Sequence, residues 1–327
     1  MGNVGLQGLE PLRSRNSSHA SLGTISITHV SVPLLNTTPE NRPSTPGLGI
    51  ALMALGMFVF SAADTLAKFL TETLHPLQVV WSRQLGLVFG LLFLLSMHGF
   101  SLFRSRHKKL QITRGVMAAG SATLFIFAVA YVPLADAVAV SFVAPFIVTL
   151  FGALVLKEKV GIRRWTAVCI GFLATLIIIR PGMGAMHPAA MLVLIAATFF
   201  AIRQIISRML SDSDKTRTTV AYTAITGIMI LSIPLPFIWT WPETTIQYTL
   251  IAALAFAAAL GEVLVIKALE MTQAVIVAPV HYTIIVWGTA YGYLVFNQLP
   301  DLWTWVGTAI IVASGIYTLS RERRLAN

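Results

Sequence analysis

The chain has 327 residues, of which 56% are hydrophobic and only 11% are charged, and its formal net charge is +10. Soluble domains carry about 25% charged residues because their surfaces face water, so most of this surface must face lipid. The basic residues lie in short runs between apolar segments, a pattern that indicates membrane orientation and argues against nucleic-acid binding.

Residues 1–46 precede the first apolar segment and are rich in Ser, Thr, Asn, Pro and Gly. Such a segment buries too little apolar surface to offset the entropy lost on ordering. It also lacks the continuous apolar stretch of a cleaved signal peptide. We therefore predict a disordered cytoplasmic tail over residues 1–46.

Ten apolar segments follow, each close to the roughly 20 residues with which a helix crosses a bilayer. They lie near residues 48–70, 77–98, 115–132, 135–156, 164–180, 189–210, 219–240, 247–269, 273–296 and 303–320. A membrane β-barrel would instead alternate apolar and polar residues over segments of about ten. The sequence predicts an all-α integral membrane protein with ten transmembrane helices. The single cysteine, Cys169, excludes an intramolecular disulfide, and we expect it to be a packed apolar residue.

The basic residues predict the orientation of the spans. If the N terminus is cytoplasmic, 19 of the 23 Lys and Arg residues fall on the cytoplasmic side, and this count places Arg114 in the loop before the third span. Arg180 alone falls on the other side. By the positive-inside rule, we predict a multi-pass protein of the cell inner membrane with both termini cytoplasmic, including a short tail at 321–327.

The two halves of the chain match each other at a shift of 140 residues. Phe60 aligns with Phe200, and the basic turn at 157–159 aligns with the uncharged turn at 297–299. Five spans per half is an odd number, so the halves have opposite orientations and only one copy of the turn is cytoplasmic. Inverted repeats are typical of secondary transporters, whose substrate site lies near the midplane between the repeats. The predicted five-helix repeats are residues 47–183 and 184–320.

Several motifs occur at matching places in the two halves. They are Tyr131 to Pro145 and Leu154 to Lys159 in the first half, and Ala278-Pro279, Tyr282-Thr283 and Gly292 to Phe296, leading to Pro300, in the second. On these motifs the chain resembles the drug/metabolite transporter superfamily of the kind with two EamA-type repeats, over about residues 47–320. The segment from Asp64 to Arg83 is similar to that of bacterial riboflavin importers and S-adenosylmethionine carriers.

The resemblance implies a secondary transporter that moves a small metabolite by alternating access, with riboflavin uptake as the first hypothesis. S-adenosylmethionine, amino acids and other metabolites, imported or exported, are the alternatives. An intramembrane enzyme or a channel is the competing class, but the sequence has no His-Glu-x-x-His cluster and no filter motif. We expect no catalytic residue, no metal and no cofactor. The expected partners are the substrate, the lipid bilayer and, if the chain is not a monomer, a second copy.

Ionisable residues inside the spans are costly in a bilayer and are candidates for the substrate site. Asp64 and Lys68 lie four residues apart on one helix face, either as a self-neutralising pair or in substrate or proton handling. Arg83 is either a partner of Asp64 or an anchor for the substrate. The planar fork of Arg203 suits a flat heteroaromatic or carboxylate ligand. Glu262 either carries the proton of a proton-coupled carrier or pairs with a neighbouring helix.

Aromatic residues near helix-bending prolines complete the candidate site. His281 and Tyr282 follow Pro279, which frees a carbonyl and bends the helix, and Pro145 does the same in the fourth span. His281 and Tyr282 either contact substrate or make interhelical hydrogen bonds. Two tryptophans either stack on a substrate ring or pack against neighbouring helices. These are Trp81 and Trp287.

Overall fold

The structure is a computed structural model that describes residues 46–157, 161–180, 187–210, 213–272 and 274–326. The predicted tail therefore lies outside the described residues, apart from residue 46, as does most of the turn at 157–159. Within the described residues all regular structure is helical.

The helices are named in chain order. They are α1 (Pro46–Leu70), α2 (Pro76–His98), α3 (Lys108–Val129), α4 (Leu134–Ser141), α5 (Ala144–Val155), α6 (Ile162–Ile179), α7 (Ala190–Leu210), α8 (Thr216–Ser232), α9 (Leu235–Ile238), α10 (Thr245–Met271), α11 (Ala274–His281), α12 (Thr283–Phe296) and α13 (Leu302–Ala326), with a 3-10 helix at Gly99–Phe103.

Helices lie in all ten predicted spans, and in the described residues eight of the spans contain a helix that is clearly apolar. In the described residues, six segments are long and apolar enough to cross a membrane, and two further apolar helices are shorter. The six are Gly47–Leu70, Pro76–Met97, Lys108–Val129, Leu134–Val155, Ala190–Leu210 and Thr245–Leu269, and the shorter two are Trp165–Ile179 and Leu302–Tyr317. Backbone polar groups in lipid need internal partners, which helices supply. The prediction of an all-α membrane fold is confirmed.

Proline breaks the predicted spans where it removes a backbone donor. The fourth span is interrupted at Phe142 and Val143, just before Pro145 in the first turn of α5. The ninth span is interrupted at Tyr282, at the end of a helix that contains Pro279. The cavity-lining role of the two prolines stays a prediction.

Two expectations about single residues are wrong. Arg114 is in the second turn of α3, because that helix begins at Lys108 and not after the basic loop. Cys169 is exposed on α6. A thiol is apolar enough to face lipid, so its presence in an apolar stretch did not require it to be packed.

One contact between the two repeats occurs twice, at positions related by the 140-residue shift. A methyl group added at Gly86 on α2 would overlap the carbonyl oxygen of Ala255 on α10. The residues 140 positions away, Thr226 on α8 and Gly115 on α3, make the corresponding contact, and a Cβ at Gly115 would lie 2.7 Å from the Thr226 Cβ. Small residues permit such close helix approach. The two repeats therefore pack against each other through two equivalent close helix contacts.

Phe142 and Tyr282 also lie 140 residues apart, and they stack on each other. Their ring centroids are 4.9 Å apart and their planes differ by 25°. Residues related by a two-fold rotation touch each other only close to the rotation axis. The breaks between α4 and α5 and between α11 and α12 therefore meet at the place where the inverted repeat predicted from the sequence has its pseudo-two-fold axis.

The bundle has two ends, which we name by the charges of their loops. The basic end contains the start of α1 and the described residues of the loops after α2, α5 and α7 (residues 99–107, 156–157 with 161, and 213–215). The neutral end contains the loops after α1, α3, α8 and α12 (residues 71–75, 130–133, 233–244 and 297–301). Assignment of the basic end to the cytoplasm stays a prediction from the sequence.

Candidate functional site

An ion pair joins α1 and α2 in the half of the bundle nearer the neutral end. Arg83 Nη1 donates to Asp64 Oδ1 over 2.7 Å, and Asp64 is only 8% exposed. Lys68 is engaged elsewhere, because its Nζ donates to the carbonyl oxygens of Val129 and Val132 at 2.7 Å each. The self-neutralising pair of Asp64 with Lys68 is therefore wrong, since the partner of Asp64 comes from the next helix.

A second polar group, the Arg–Arg–Glu cluster, consists of Arg114, Arg203 and Glu262. These residues come from α3, α7 and α10. Arg203 lies within electrostatic range of Glu262, and Arg114 lies within range of both. Seven residues of helix, about 10 Å, separate Arg203 from the end of α7 at Leu210. The cluster is therefore inside the bilayer region, in the half nearer the basic end.

The two arginines of this cluster have different surroundings. Arg114 Nε donates to Ser207 Oγ over 2.7 Å, and its Nη1 donates to Thr223 Oγ1. The Arg203 guanidinium lies over the ring of Phe200, with Cζ 4.7 Å from the ring centroid. The Nε of Arg203 is buried and has no hydrogen-bond partner among the described residues. Arg114 is thus held in place by α7 and α8, while Arg203 keeps a donor for another group.

The charges of the Arg–Arg–Glu cluster do not cancel. Two guanidinium groups and one carboxylate leave one positive charge in excess among the described residues of the cluster. A buried charge without a counterion is destabilising by several kcal/mol. An anionic group of a ligand would remove this imbalance and would accept from the Nε of Arg203.

The aromatic candidates fall into two groups. Tyr282 stacks on Phe142, and His281 meets the same ring edge-on at 5.9 Å, so both lie at the break between α11 and α12. Trp287 meets Phe58 edge-on at 5.0 Å, and its indole Nε1 is buried with no hydrogen-bond partner among the described residues. Trp287 therefore retains a donor for a ligand.

Trp81 has a different environment. Its Nε1 donates to Ser232 Oγ over 2.9 Å, and its ring meets Trp239 edge-on at 5.7 Å. These contacts connect α2 with α8 and with the loop that follows α9. Such contacts are expected if Trp81 packs against neighbouring helices, which was the alternative to stacking on a substrate ring.

Two ionisable residues inside the bundle are not among the candidates predicted from the sequence. Arg114 is half-buried on α3, and the sequence predicts it in the basic loop because the N-terminal extension of α3 into that loop has no apolar signal. Asp136 is buried in the first turn of α4 but was treated as part of a family motif. A carboxylate inside an apolar span was the signal that could have identified it.

Comparison with known proteins gives a family and several relatives. The chain matches the EamA-like transporter family twice, at residues 47–180 and 187–320. The pseudopaline exporter CntI of Pseudomonas aeruginosa is 29% identical over 280 residues, which cover 84% of this chain and 97% of the relative. The S-adenosylmethionine uptake transporter of Rickettsia bellii is 25% identical and covers 86% and 96%. The riboflavin transporter of Rhizobium johnstonii is 26% identical and covers 86% and 94%.

Proposed function

Because the chain belongs to the EamA-like transporter family, we propose that it is a secondary transporter for a small metabolite that carries a carboxylate group. The chain is a small-molecule transporter of this type and not an enzyme. The relatives differ in the substrates that they are named for, so the substrate class has to be argued from the site.

The excess positive charge of the Arg–Arg–Glu cluster is the observation that supports a carboxylate. A guanidinium group presents two parallel donors that match the two oxygens of a carboxylate. Arg203 has a buried donor that no described residue accepts. Arg114 is already bonded to Ser207 and Thr223, so we assign it the positioning of the positive charge and assign Arg203 the direct contact.

Glu262 adds a negative charge beside the two arginines. A ligand with an ammonium group next to its carboxylate would bind Glu262 through the ammonium group and Arg203 through the carboxylate. S-adenosylmethionine has such an amino acid end, and it is the named substrate of the Rickettsia relative. We therefore take S-adenosylmethionine as the first substrate to test.

Riboflavin, the first hypothesis from the sequence, becomes the second candidate. It lacks a carboxylate, so the cluster does not favour it. The name of the Rhizobium relative supports it, and so does the free indole donor of Trp287 beside the ring of Phe58. A flat ring system could stack and accept a hydrogen bond there.

Alternating access would use the stack of Phe142 on Tyr282 as the point about which the two repeats rock. The stack lies on the pseudo-two-fold axis, where a rocking motion of one repeat against the other displaces atoms least. Broken helices at a repeat interface are the usual surroundings of a transporter substrate site. The relatives include an exporter and an uptake transporter, so the direction has to be measured.

The test is uptake of labelled S-adenosylmethionine into proteoliposomes that contain the purified full chain. We expect saturable uptake above empty liposomes, and a fall of at least about tenfold in R203Q, because a hydrogen bond to a charged group contributes about 1.5–3 kcal/mol. The matched control is R106Q, which removes an exposed arginine from the loop after α2. Saturable S-adenosylmethionine uptake that R203Q leaves unchanged would exclude the carboxylate site. Riboflavin uptake in place of S-adenosylmethionine uptake would favour the second candidate.

A further inference from the structure

A separate group of charged residues surrounds Asp136 at the neutral end. Asp136 is 8% exposed, and the stretch from Leu134 to Val140 on α4 is buried throughout. Charged and polar side chains face Asp136 from three other elements. They are Lys68 of α1, Arg180 at the end of α6, Asp301 before α13 and Thr304 in the first turn of α13.

The nearest cation from α1 does not form an ion pair with Asp136. The Nζ of Lys68 donates to the carbonyl oxygens of Val129 and Val132, each at 2.7 Å. It also lies 5.3 Å from the centroid of the Phe296 ring, which is cation–π distance. The two backbone carbonyl groups and the aromatic ring therefore stabilise the positive charge of Lys68.

The other charged residues form a pair of their own. Asp301 pairs with Arg180 and accepts from the backbone N–H of Thr304 over 2.8 Å. Burial acts to raise the pKa of Asp301, but the hydrogen bond from the backbone N–H of Thr304, the hydrogen bond from Arg180 and the charge of Arg180 outweigh it and hold that pKa below its ordinary value. Asp301 is thus the ionised carboxylate of this group, and Arg180 is its counterion.

Asp136 is left with an unsatisfied oxygen. Its Oδ1 is buried without a hydrogen-bond partner among the described residues, and so is the Oγ1 of Thr304 nearby. The remaining sides of α4 pack against apolar residues of α7 and α12, such as Val193 and Ile285. A buried carboxylate oxygen without a partner is costly when ionised, whereas a proton removes the charge and provides a donor.

We propose that Asp136 is a proton-binding site that couples opening of the neutral end to pH. Asp136 holds its proton while α4 is packed against α1 and α13, as in this structure. When these helices separate, water reaches the carboxyl group, the O–H bond breaks and the proton passes to bulk water at the neutral end. Reprotonation favours closure. The proposal rests on the transporter family alone and does not depend on the identity of the substrate.

Glu262 is the alternative carrier of the proton, as considered from the sequence. It differs from Asp136 because two guanidinium groups lie within electrostatic range of it. Asp136 has no hydrogen-bonded cation among the described residues, since Lys68 and Arg180 have other partners. Asp136 therefore suits a group that gains and loses a proton.

The test measures opening of the neutral end without any substrate. Cys169 is the single cysteine of the chain, so C169S is a background without thiols. Into it we would introduce V132C, at a position that is 1% exposed in the closed neutral end, and in a separate variant Y131C, at a neighbouring position that is 61% exposed. Labelling by a membrane-impermeant maleimide is then measured in proteoliposomes. The ratio of the two rates corrects for the pH dependence of thiol reactivity.

We expect the V132C to Y131C labelling ratio to rise several-fold between about pH 5 and about pH 8, the range in which a buried carboxyl group titrates. D136N should keep the ratio low at every pH, because its amide cannot ionise. D136E keeps a carboxyl group and should therefore keep the pH dependence of the parent protein. It is also the variant to measure if D136N fails to fold. An unchanged pH dependence in D136N, or its loss in E262Q but not in D136N, would overturn the proposal.

Discussion

Asp64 and Arg83 form an ion pair with 2.7 Å between Oδ1 and Nη1, and the positions 140 residues away carry no charge. Those positions are Gln204 and Thr223, and Thr223 accepts a hydrogen bond from Arg114. The two repeats thus share a backbone plan but differ in chemistry at these positions. The balanced pair lies within the first repeat, whereas the Arg–Arg–Glu cluster, with its excess positive charge, takes Arg114 from the first repeat and Arg203 and Glu262 from the second.

The first prediction concerns this ion pair. Removing one member leaves a buried charge alone, which destabilises proteins by about 3–5 kcal/mol, whereas removing both leaves none. We expect D64N and R83Q each to lower the thermal midpoint of the purified protein more than the double variant D64N/R83Q does. A double variant whose loss equals the sum of the single losses would show that the two residues act independently.

The second prediction concerns Arg114. Its side chain donates to Ser207 and Thr223 and adds positive charge beside Arg203. We expect R114Q to reduce transport of the substrate by about tenfold or more, with correct membrane insertion, since charge-assisted hydrogen bonds contribute about 1.5–3 kcal/mol. R114K tests geometry, because a lysine keeps the charge but lacks the fork of donors. If R114K transports normally, charge alone is required. Normal transport by R114Q would remove Arg114 from the site.

The third prediction concerns the contact between α2 and α10. A Cβ at Gly86 would overlap the carbonyl oxygen of Ala255, whereas a Cβ at Gly90, on the same helix, would meet nothing within 4 Å. We expect G86A to lower stability by about 1–3 kcal/mol, the usual range for overpacking. G90A should leave stability unchanged or raise it, because alanine favours helix more than glycine does. The measurement is thermal unfolding of both variants, and equal midpoints would contradict the prediction.

The fourth prediction concerns Asp214, in the loop after α7. Burial acts to raise its pKa, but hydrogen bonds from Ser105, Gln111 and the backbone of Arg106, with the nearby His107, outweigh burial and lower it. A carboxyl group whose pKa is depressed on folding stabilises the protein above its unfolded pKa of about 4, and this contribution is lost as pH falls.

We therefore expect D214N to be less stable than the parent protein near neutral pH and equally stable at a pH well below 4. Thermal unfolding as a function of pH is the measurement. E243Q, which alters an exposed carboxylate at the neutral end, is the control and should follow the parent protein throughout. A constant difference between D214N and the parent across the pH range would mean that ionisation of Asp214 is not involved.

Composition and residue order were enough to identify the class, the apolar spans and the repeat. Apolar runs of about 20 residues can satisfy their backbone in lipid only as helices, so the start of α1 and the end of α7 could be placed to within a few residues. The 140-residue match required no structure either. It is a property of the residue order, and the paired contacts of Gly86 and Gly115 follow from it.

Which charged side chains meet depends on how the helices pack against one another. Asp64 and Lys68 share a helix face, yet their partners come from α2 and from the end of α3. Arg114, Arg203 and Glu262 are distant in sequence, and their convergence depends on where α3, α7 and α10 lie in the bundle. Hydropathy indicates that a side chain lies within the bilayer, but it does not indicate which other helix the side chain contacts. An ionisable group in a membrane finds its counterion through helix packing, which no single span encodes.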